Sequence, residues 1–143
     1  MTVQIKISSS KDETKQIAEE FIQSLKDRNV NIFLSGELGA GKTEFVKGLF
    51  RGLGINKNPT SPTYDLVLSY QIDNLLVNHM DLYRLEFLNY EDAIWINQIL
   101  GQESLNIIEW GNKFDFENLI KPEFIINISI LGENERKIKI SHN

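Results

Sequence analysis

Eight consecutive residues carry the most specific chemistry in this sequence. They run Gly36-Glu37-Leu38-Gly39-Ala40-Gly41-Lys42-Thr43 and match the phosphate-binding pattern G-x-x-x-x-G-K-[ST] at every fixed position. Glycines let the backbone turn so tightly that successive N–H groups point into one concavity around a phosphate chain. Lys42 supplies a cation for the β- and γ-phosphates, and the Thr43 hydroxyl is suited to a Mg²⁺ shell. The pattern therefore predicts a nucleotide-binding loop.

The segments around this loop have the order of strand, loop and helix that the motif requires. Val30 to Ser35 is rich in β-branched and aromatic residues, which indicates a short buried strand. A helix that begins at the end of the loop would direct the positive end of its dipole at the same anion. Gly54 is a natural end for this helix, and the apolar residues before it have helical spacing: Phe45, Val46, Leu49, Phe50 and Leu53.

Two acids at the ends of predicted strands are further candidates for the site. Asp81 follows an apolar strand and stands where a phosphate-loop protein commonly binds Mg²⁺, directly or through water, although Asp also favours plain turns. Glu109 ends the next strand, and Trp110 follows it. Either acid is able to orient an attacking water. His79 is a possible base, but a histidine so close to a strand end is more often structural.

Two other motifs allow more than one interpretation. The hydroxyl-rich loop Thr60 to Thr63 is either a switch segment near the γ-phosphate or a plain turn. Asn112-Lys113-Phe114-Asp115 spells N-K-x-D after a buried strand, where a small GTPase reads guanine. The residues after Asp81 lack the glycine that a GTPase uses to follow the γ-phosphate. The guanine interpretation is therefore disfavoured and stays an alternative.

The remaining pattern predicts a single α/β domain over residues 1–143. Its central mixed sheet is parallel around the phosphate loop, carries antiparallel hairpins and is flanked by helices. Alternating Val3, Ile5 and Ile7 indicate a half-buried first strand. Ser10 and Glu13 have capping-box spacing for a helix to about Arg28. Asn89 caps a later helix with Ile94 and Trp95 on its apolar side, and the chain closes in a hairpin between Phe124 and Ile140.

Composition excludes several functions. The 143 residues contain no cysteine, so disulfides, thiol catalysis and zinc–thiolate sites are ruled out. The formal net charge of −5 argues against a broad nucleic-acid surface, so any role with RNA is expected to be exercised through a partner. The sequence shows neither a signal peptide nor a membrane span, and a cytoplasmic location is expected.

Four segments together resemble the bacterial TsaE (YjeE) family of small P-loop ATPases, which are needed for threonylcarbamoyladenosine modification of tRNA. These segments are the phosphate loop, Ser61-Pro62-Thr63-Tyr64, His79-Met80-Asp81-Leu82-Tyr83-Arg84 and Ile108-Glu109-Trp110. The resemblance spans about Ser8 to Ile140. It implies ATP rather than GTP as ligand, action inside a complex with the TsaD and TsaB subunits, and a Thr60–Thr63 switch.

The resemblance also implies roles for individual residues. Thr43 and Glu109 would hold Mg²⁺, with Asp81 as a further acid of the site, and Trp110 would lie near the nucleotide. Lys11, at the start of the first helix, matches the adenine-side segment loosely. Arg136, in the final hairpin, matches a nucleotide-contacting basic residue.

The sequence departs from the family pattern at two acids close to the site. Glu44 follows Thr43 where a second Thr is common, and Asp65 replaces a frequent Thr. Both add negative charge, which makes bound Mg²⁺ more necessary. Arg84 is a candidate arginine finger, but a surface ion pair is its simpler role, so hydrolysis by the isolated chain is expected to be slow. A small-molecule kinase and a non-hydrolysing ATP-gated binding module remain alternatives.

Overall fold

The computed structural model describes residues 1–59, 67–82, 89–110 and 121–143. The predictions for the Thr60–Thr63 loop, for Asp65 and Arg84, and for the N-K-x-D segment fall outside these residues. The helices are α1 (Lys11–Ser24), α2 (Lys42–Leu53) and α3 (Tyr90–Leu100). The strands are β1 (Thr2–Ser8), β2 (Asn31–Gly36), β3 (Val67–Ile72), β4 (Leu75–Asp81), β5 (Leu105–Glu109), β6 (Phe124–Ile130) and β7 (Arg136–His142).

The strands form one seven-stranded sheet in the order β1-β7-β6-β2-β5-β4-β3. Strands β6, β2, β5 and β4 are parallel, whereas β7 pairs antiparallel with both β1 and β6, and β3 pairs antiparallel with β4. The predicted mixed sheet, parallel around the phosphate loop with antiparallel hairpins, is confirmed. The carboxyl ends of β2, β5 and β4 consequently lie side by side at one edge, where α/β sheets bind their ligands.

Helices cover the middle of this sheet on both faces. Ile32 and Leu34 of β2 belong to the core that packs under α1 and α2. Phe33, which points the opposite way, lies in a smaller cluster with Ile96 of α3. Because β2 is buried on both faces, the loop that follows it starts from a rigid base. No helix of the described residues has the length and apolarity needed to cross a bilayer.

Helix α1 begins as predicted and ends earlier than predicted. The Ser10 hydroxyl accepts a hydrogen bond from the Glu13 N–H at 3.1 Å, which confirms the cap. The helix ends at Ser24 rather than near Arg28, because Leu25 has an extended backbone. Just beyond, the Asp27 carboxylate accepts a bond from the Asn29 N–H at 2.9 Å. This local turn competes with further helix and leads the chain into β2.

Two stretches predicted to be buried are exposed. The apolar side chains of β1 were expected to be half-buried, but β1 is an edge strand, and its apolar row lies on the face opposite to that of Ser8, whose hydroxyl contacts Thr14 of α1. Ile96 is the only buried residue of α3, because the contact of α3 with the sheet is narrow. The exposed fractions are 45% for Val3, 55% for Ile5, 52% for Ile7, 43% for Ile94 and 40% for Trp95.

Candidate functional site

The predicted phosphate loop connects β2 to α2, and its glycines are needed for its shape. A Cβ on Gly36 would lie 2.6 Å from the Ile128 carbonyl oxygen of the neighbouring strand. Gly41 is the N-cap of α2 with a left-handed backbone (φ 107°) that side chains disfavour. Since Gly41 has no side chain to cap the helix, the first-turn N–H groups of α2 are left for a ligand.

Lys42 is folded back onto its own loop. Its Nζ donates hydrogen bonds to the carbonyl oxygens of Gly36 at 2.6 Å and of Glu37 at 3.2 Å. The same Nζ lies 4.1 Å from the centre of the Trp110 ring, a cation–π contact. The ammonium group is thus held between the loop and an aromatic face, and a phosphate ligand would have to attract it away from the two carbonyl groups.

The electrostatic surroundings of Lys42 combine burial with two acids. Burial lowers the pKa of Lys42 from its ordinary value, and the charges of Glu109 and then Asp81 act in the opposite direction. Both acids raise the affinity of Lys42 for its proton because they favour the charged ammonium. The three side chains are therefore close enough to form one electrostatic group at the carboxyl edge of the sheet.

Asp81 and Glu109 are brought together by strand register. Asp81 of β4 lies directly opposite Glu109 of β5 in a parallel pair, so the two side chains leave the sheet on the same face. Glu109 is only 7% exposed. Thr43 is exposed on the first turn of α2, directly after Lys42. Hydroxyl and carboxylate oxygens are donors that suit Mg²⁺, which usually takes one or two carboxylates and completes its shell with phosphates and water.

His79 contacts the carboxylate of Glu109 from within the core. Its Nε2 lies 2.7 Å from the Glu109 Oε2, and the imidazole is only 2% exposed. The histidine ring also packs edge-on against Phe50 of α2, with ring centres 6.1 Å apart. The Nδ1 atom is buried and has no hydrogen-bond partner among the residues that the structure describes. His79 thus lies between the apolar core, at Phe50, and the carboxylate of Glu109.

Trp110 reaches Lys42 through an unusual backbone conformation. It follows β5 with φ 62°, one of two non-glycine residues with positive φ among those described. Its N–H donates to the Leu34 carbonyl oxygen at 3.1 Å, which ties the turn to β2. The turn directs the indole to the loop, so the structure places Trp110 beside the predicted phosphate site.

Glu44 is directed away from the loop, towards α1. Its carboxylate forms ion pairs with Lys15 and Lys47, each at 3.3 Å. Burial by itself raises the pKa of Glu44, but hydrogen bonds and charge from Lys15 and Lys47 outweigh it, so the pKa is lowered. The extra negative charge expected from Glu44 is therefore balanced inside the protein, and only its backbone faces the loop.

Arg136 reaches the phosphate loop from the β6–β7 hairpin. Its Nε donates to the Ala40 carbonyl oxygen at 3.0 Å and its Nη2 to that of Gly39 at 3.4 Å. Its Nη1 donates to the carbonyl oxygens of Gly132 at 2.8 Å and Glu135 at 2.9 Å. The guanidinium thus joins the hairpin turn to the loop. Lys11 begins α1 with an exposed side chain, and its contact with a nucleotide stays a prediction.

The structure therefore brings most of the predicted site residues close together. Lys42, Asp81, Glu109 and Trp110 surround one edge of the sheet, with the backbone of Glu37 to Thr43 beside them. The sequence alone favoured a packing role for His79, although its spacing from Asp81 could have indicated a place in the site. His79 precedes Asp81 by two positions on a strand, so its side chain points to the same face as that of Asp81.

A strand, a glycine-rich loop and a helix, with acids at the ends of the two neighbouring parallel strands, define a P-loop protein. The family model described as threonylcarbamoyl adenosine biosynthesis protein TsaE matches residues 8–139. The chain belongs to the TsaE family.

Individual relatives agree with this assignment. The TsaE protein of Aquifex aeolicus is 41% identical over 138 residues, which cover 94% of this chain and 92% of that protein. The TsaE protein of Bacillus subtilis is 34% identical over 127 residues, covering 89% and 78%. Among solved structures, that of Bacillus subtilis YdiB superposes with a TM-score of 0.77 at 27% identity, covering 99% of this chain and 86% of that one.

Proposed function

We propose that this protein is the ATP-binding subunit of the machinery that adds the threonylcarbamoyl group to a tRNA adenosine. It hydrolyses ATP slowly by itself, requires Mg²⁺, and works in complex with TsaD and TsaB, contacting tRNA only through that complex. The observation that supports this most strongly is the grouping of Lys42, Asp81 and Glu109 at the phosphate loop of a TsaE-family chain.

The loop geometry supports the proposal of nucleotide binding. The first-turn N–H groups of α2 and the loop amides would donate to the phosphate oxygens, and Lys42 would exchange the carbonyls of Gly36 and Glu37 for the β- and γ-phosphates. Thr43, Glu109 and Asp81 would hold Mg²⁺, which when bound neutralises charge on the transferring phosphoryl group. Asp81 or Glu109 would orient the attacking water.

The position of Arg136 is consistent with the proposed slow turnover by the isolated chain. Cationic groups that reach the transferring phosphoryl group accelerate such reactions by orders of magnitude. The Arg136 guanidinium is close to the loop, but it donates to backbone carbonyls. We therefore infer that a partner or a rearrangement supplies the missing stabilisation, and that the ATPase is fastest with TsaD and TsaB present.

Calorimetric titration with ATP and with GTP, each with Mg²⁺, tests the nucleotide assignment. We expect binding of ATP in preference to GTP. Lys42→Ala should weaken it by about 10- to 100-fold, the value of a charged hydrogen bond of about 1.5–3 kcal/mol. Lys47→Ala, one turn further along α2 and paired with Glu44, is the matched control and should bind normally. A preference for GTP, or unchanged binding by Lys42→Ala, contradicts the proposal.

A second experiment separates hydrolysis from binding. ATP turnover and tRNA modification are measured together in a reconstituted mixture with TsaD, TsaB and tRNA. Glu109→Ala should abolish both. If this variant still supports tRNA modification, the protein acts as an ATP-gated binding module, and rapid multiple turnover without any partner would overturn the expected dependence on the complex.

A further inference from the structure

The strongest feature that the nucleotide site leaves unexplained is the buried imidazole of His79. Histidine is costly to bury, and its neighbours across the sheet are apolar: Ile107 on β5 and Leu68 on β3. One ring edge faces Phe50, and Nε2 faces the Glu109 carboxylate at 2.7 Å. A side chain chosen only for packing would need neither nitrogen. The contact with Glu109 is the polar interaction that accounts for a histidine here.

Hydrogen bonding assigns the tautomer of this imidazole. A carboxylate oxygen accepts hydrogen bonds, so the Nε2 atom facing Glu109 has to carry the proton. In a neutral ring, Nδ1 then has a lone pair and no hydrogen, which agrees with its lack of a hydrogen-bond partner among the described residues. The opposite tautomer would place a lone pair against the carboxylate and bury an unsatisfied N–H. His79 is therefore a hydrogen-bond donor to Glu109 through Nε2.

This bond restricts what Glu109 can do. With Oε2 held by His79, the carboxylate cannot rotate freely and presents Oε1 as its other acceptor. The positive charge of Lys42 acts on the same carboxylate, so an untethered Glu109 would be drawn into an ion pair with Lys42. Groups that hold a metal-binding side chain through a hydrogen bond commonly change metal affinity by about 10- to 100-fold when removed.

We propose that His79 is a positioning residue that orients Glu109 for Mg²⁺ and keeps it from pairing with Lys42. This inference rests on the proposed function, because it concerns the metal of the same nucleotide site. His79 itself contacts neither phosphate nor metal. Its effect is confined to the part of nucleotide affinity that depends on Mg²⁺, which distinguishes it from a residue needed only for folding.

The test compares nucleotide affinity with Mg²⁺ and in EDTA for two variants. His79→Phe keeps an aromatic ring beside Phe50 but removes the donor, whereas His79→Gln keeps an N–H donor of similar reach. We expect His79→Phe to bind ATP in EDTA as the wild type does, and to lose about 10- to 100-fold of its affinity in Mg²⁺. His79→Gln should recover most of this loss.

The control is the other histidine, His142, which stacks on Phe124 and takes no part in the site. His142→Phe should leave both affinities unchanged. If His79→Phe lost the same factor of ATP affinity in EDTA and in Mg²⁺, the role of His79 would be structural. If it lost affinity in neither condition, Glu109 would not need the hydrogen bond from His79. Both results overturn the proposal, as does a His79→Gln variant no better than His79→Phe.

A nitrogen NMR measurement on the ligand-free protein keeps the inference testable whatever the nucleotide result. Isotope-labelled His79 should show a protonated Nε2. If the wild type bound no nucleotide, the proposed function would fail while this assignment could still hold. If instead Nε2 carried no proton, the orienting bond would be absent and the inference about His79 would be wrong.

Discussion

Trp110 shows how a single residue can join two parts of the site. An aromatic residue rarely adopts a left-handed backbone, and such a conformation costs on the order of 1–3 kcal/mol. Here it allows the chain to leave β5 with the indole over Lys42, 4.1 Å from ring centre to ammonium. The cation–π contact and the bond from the Trp110 N–H to Leu34 offset this cost.

Tyr70, on β3, permits a prediction about pH at the residue scale. Burial raises the pKa of Tyr70 above its ordinary value of 10.0, and its ring packs edge-on against Phe50. The folded state therefore keeps the phenol proton at pH values where the unfolded chain has released it. The stability that results is fully present below pH 10.0 and is lost as pH rises through the folded-state pKa.

Tyr70→Phe should remove the part of the pH dependence of stability that arises from the Tyr70 phenol. Urea unfolding at neutral pH and at pH values above 10.0 should show the wild type losing stability relative to Tyr70→Phe as pH rises. Tyr90→Phe is the matched control because Tyr90 is 81% exposed, and it should keep the dependence of the wild type. Identical pH profiles for Tyr70→Phe and the wild type would contradict the assignment.

At the scale of the elements, α1 and α2 cross in close contact next to the phosphate loop. Gly48 of α2 lies so close to α1 that an added Cβ would be 2.2 Å from the Lys15 carbonyl oxygen and 2.7 Å from the Ala18 Cβ. The contact sets how α2, which begins at Lys42, lies on the sheet. Beside it, Lys15 and Glu44 form an ion pair between the two helices.

Gly48→Ala should destabilise the protein although alanine is the better helix former by about 1 kcal/mol. The added Cβ would clash with the backbone of α1, which cannot relieve the contact by a change of rotamer as a side chain could. Overpacking of this kind costs about 1–3 kcal/mol. Chemical denaturation measures the difference. Gly132→Ala serves as control, since the nearest atom to its added Cβ is 4.0 Å away. A Gly48→Ala variant as stable as the wild type would show that the helices can separate without loss.

At the scale of the whole molecule, ligand binding should raise the free energy of unfolding. The loop, β2, β4 and β5 all contribute to the site, so a nucleotide that binds only the folded chain stabilises the entire domain. The gain is about 2.7 kcal/mol when the free ligand is at 100 times its dissociation constant. Mg²⁺ should increase the gain, because Asp81 and Glu109 otherwise repel the phosphates.

Thermal unfolding with and without ATP, in Mg²⁺ and in EDTA, measures this effect. The wild type should melt at a higher temperature with ATP and Mg²⁺ than with ATP in EDTA. Lys42→Ala should show little shift in either condition, whereas Lys47→Ala should behave as the wild type. Equal stabilisation of Lys42→Ala and the wild type would mean that ATP binds elsewhere.

Much of the candidate nucleotide site could be predicted from residue order, because the conformation of its loop is local. Gly36, Gly41, Lys42 and Thr43 lie in one short segment, where backbone freedom and a helix start determine the shape of the loop. The capping residue Ser10 was recognisable for the same reason. Asp81 and Glu109 were predictable as strand-end acids because residues that follow parallel strands emerge at one edge of a sheet.

Contacts between distant segments were decided only by the tertiary structure. His79 and Glu109 are 30 positions apart, and Arg136 meets Ala40 across 96 positions. No local pattern encodes such a meeting, because it depends on which strands become neighbours and in which register. The exposure of Val3, Ile5 and Ile7 has the same origin. Alternating apolar residues specify a strand with two unlike faces, but only the tertiary structure places β1 at the sheet edge with its apolar row on the face opposite α1, where that row is exposed.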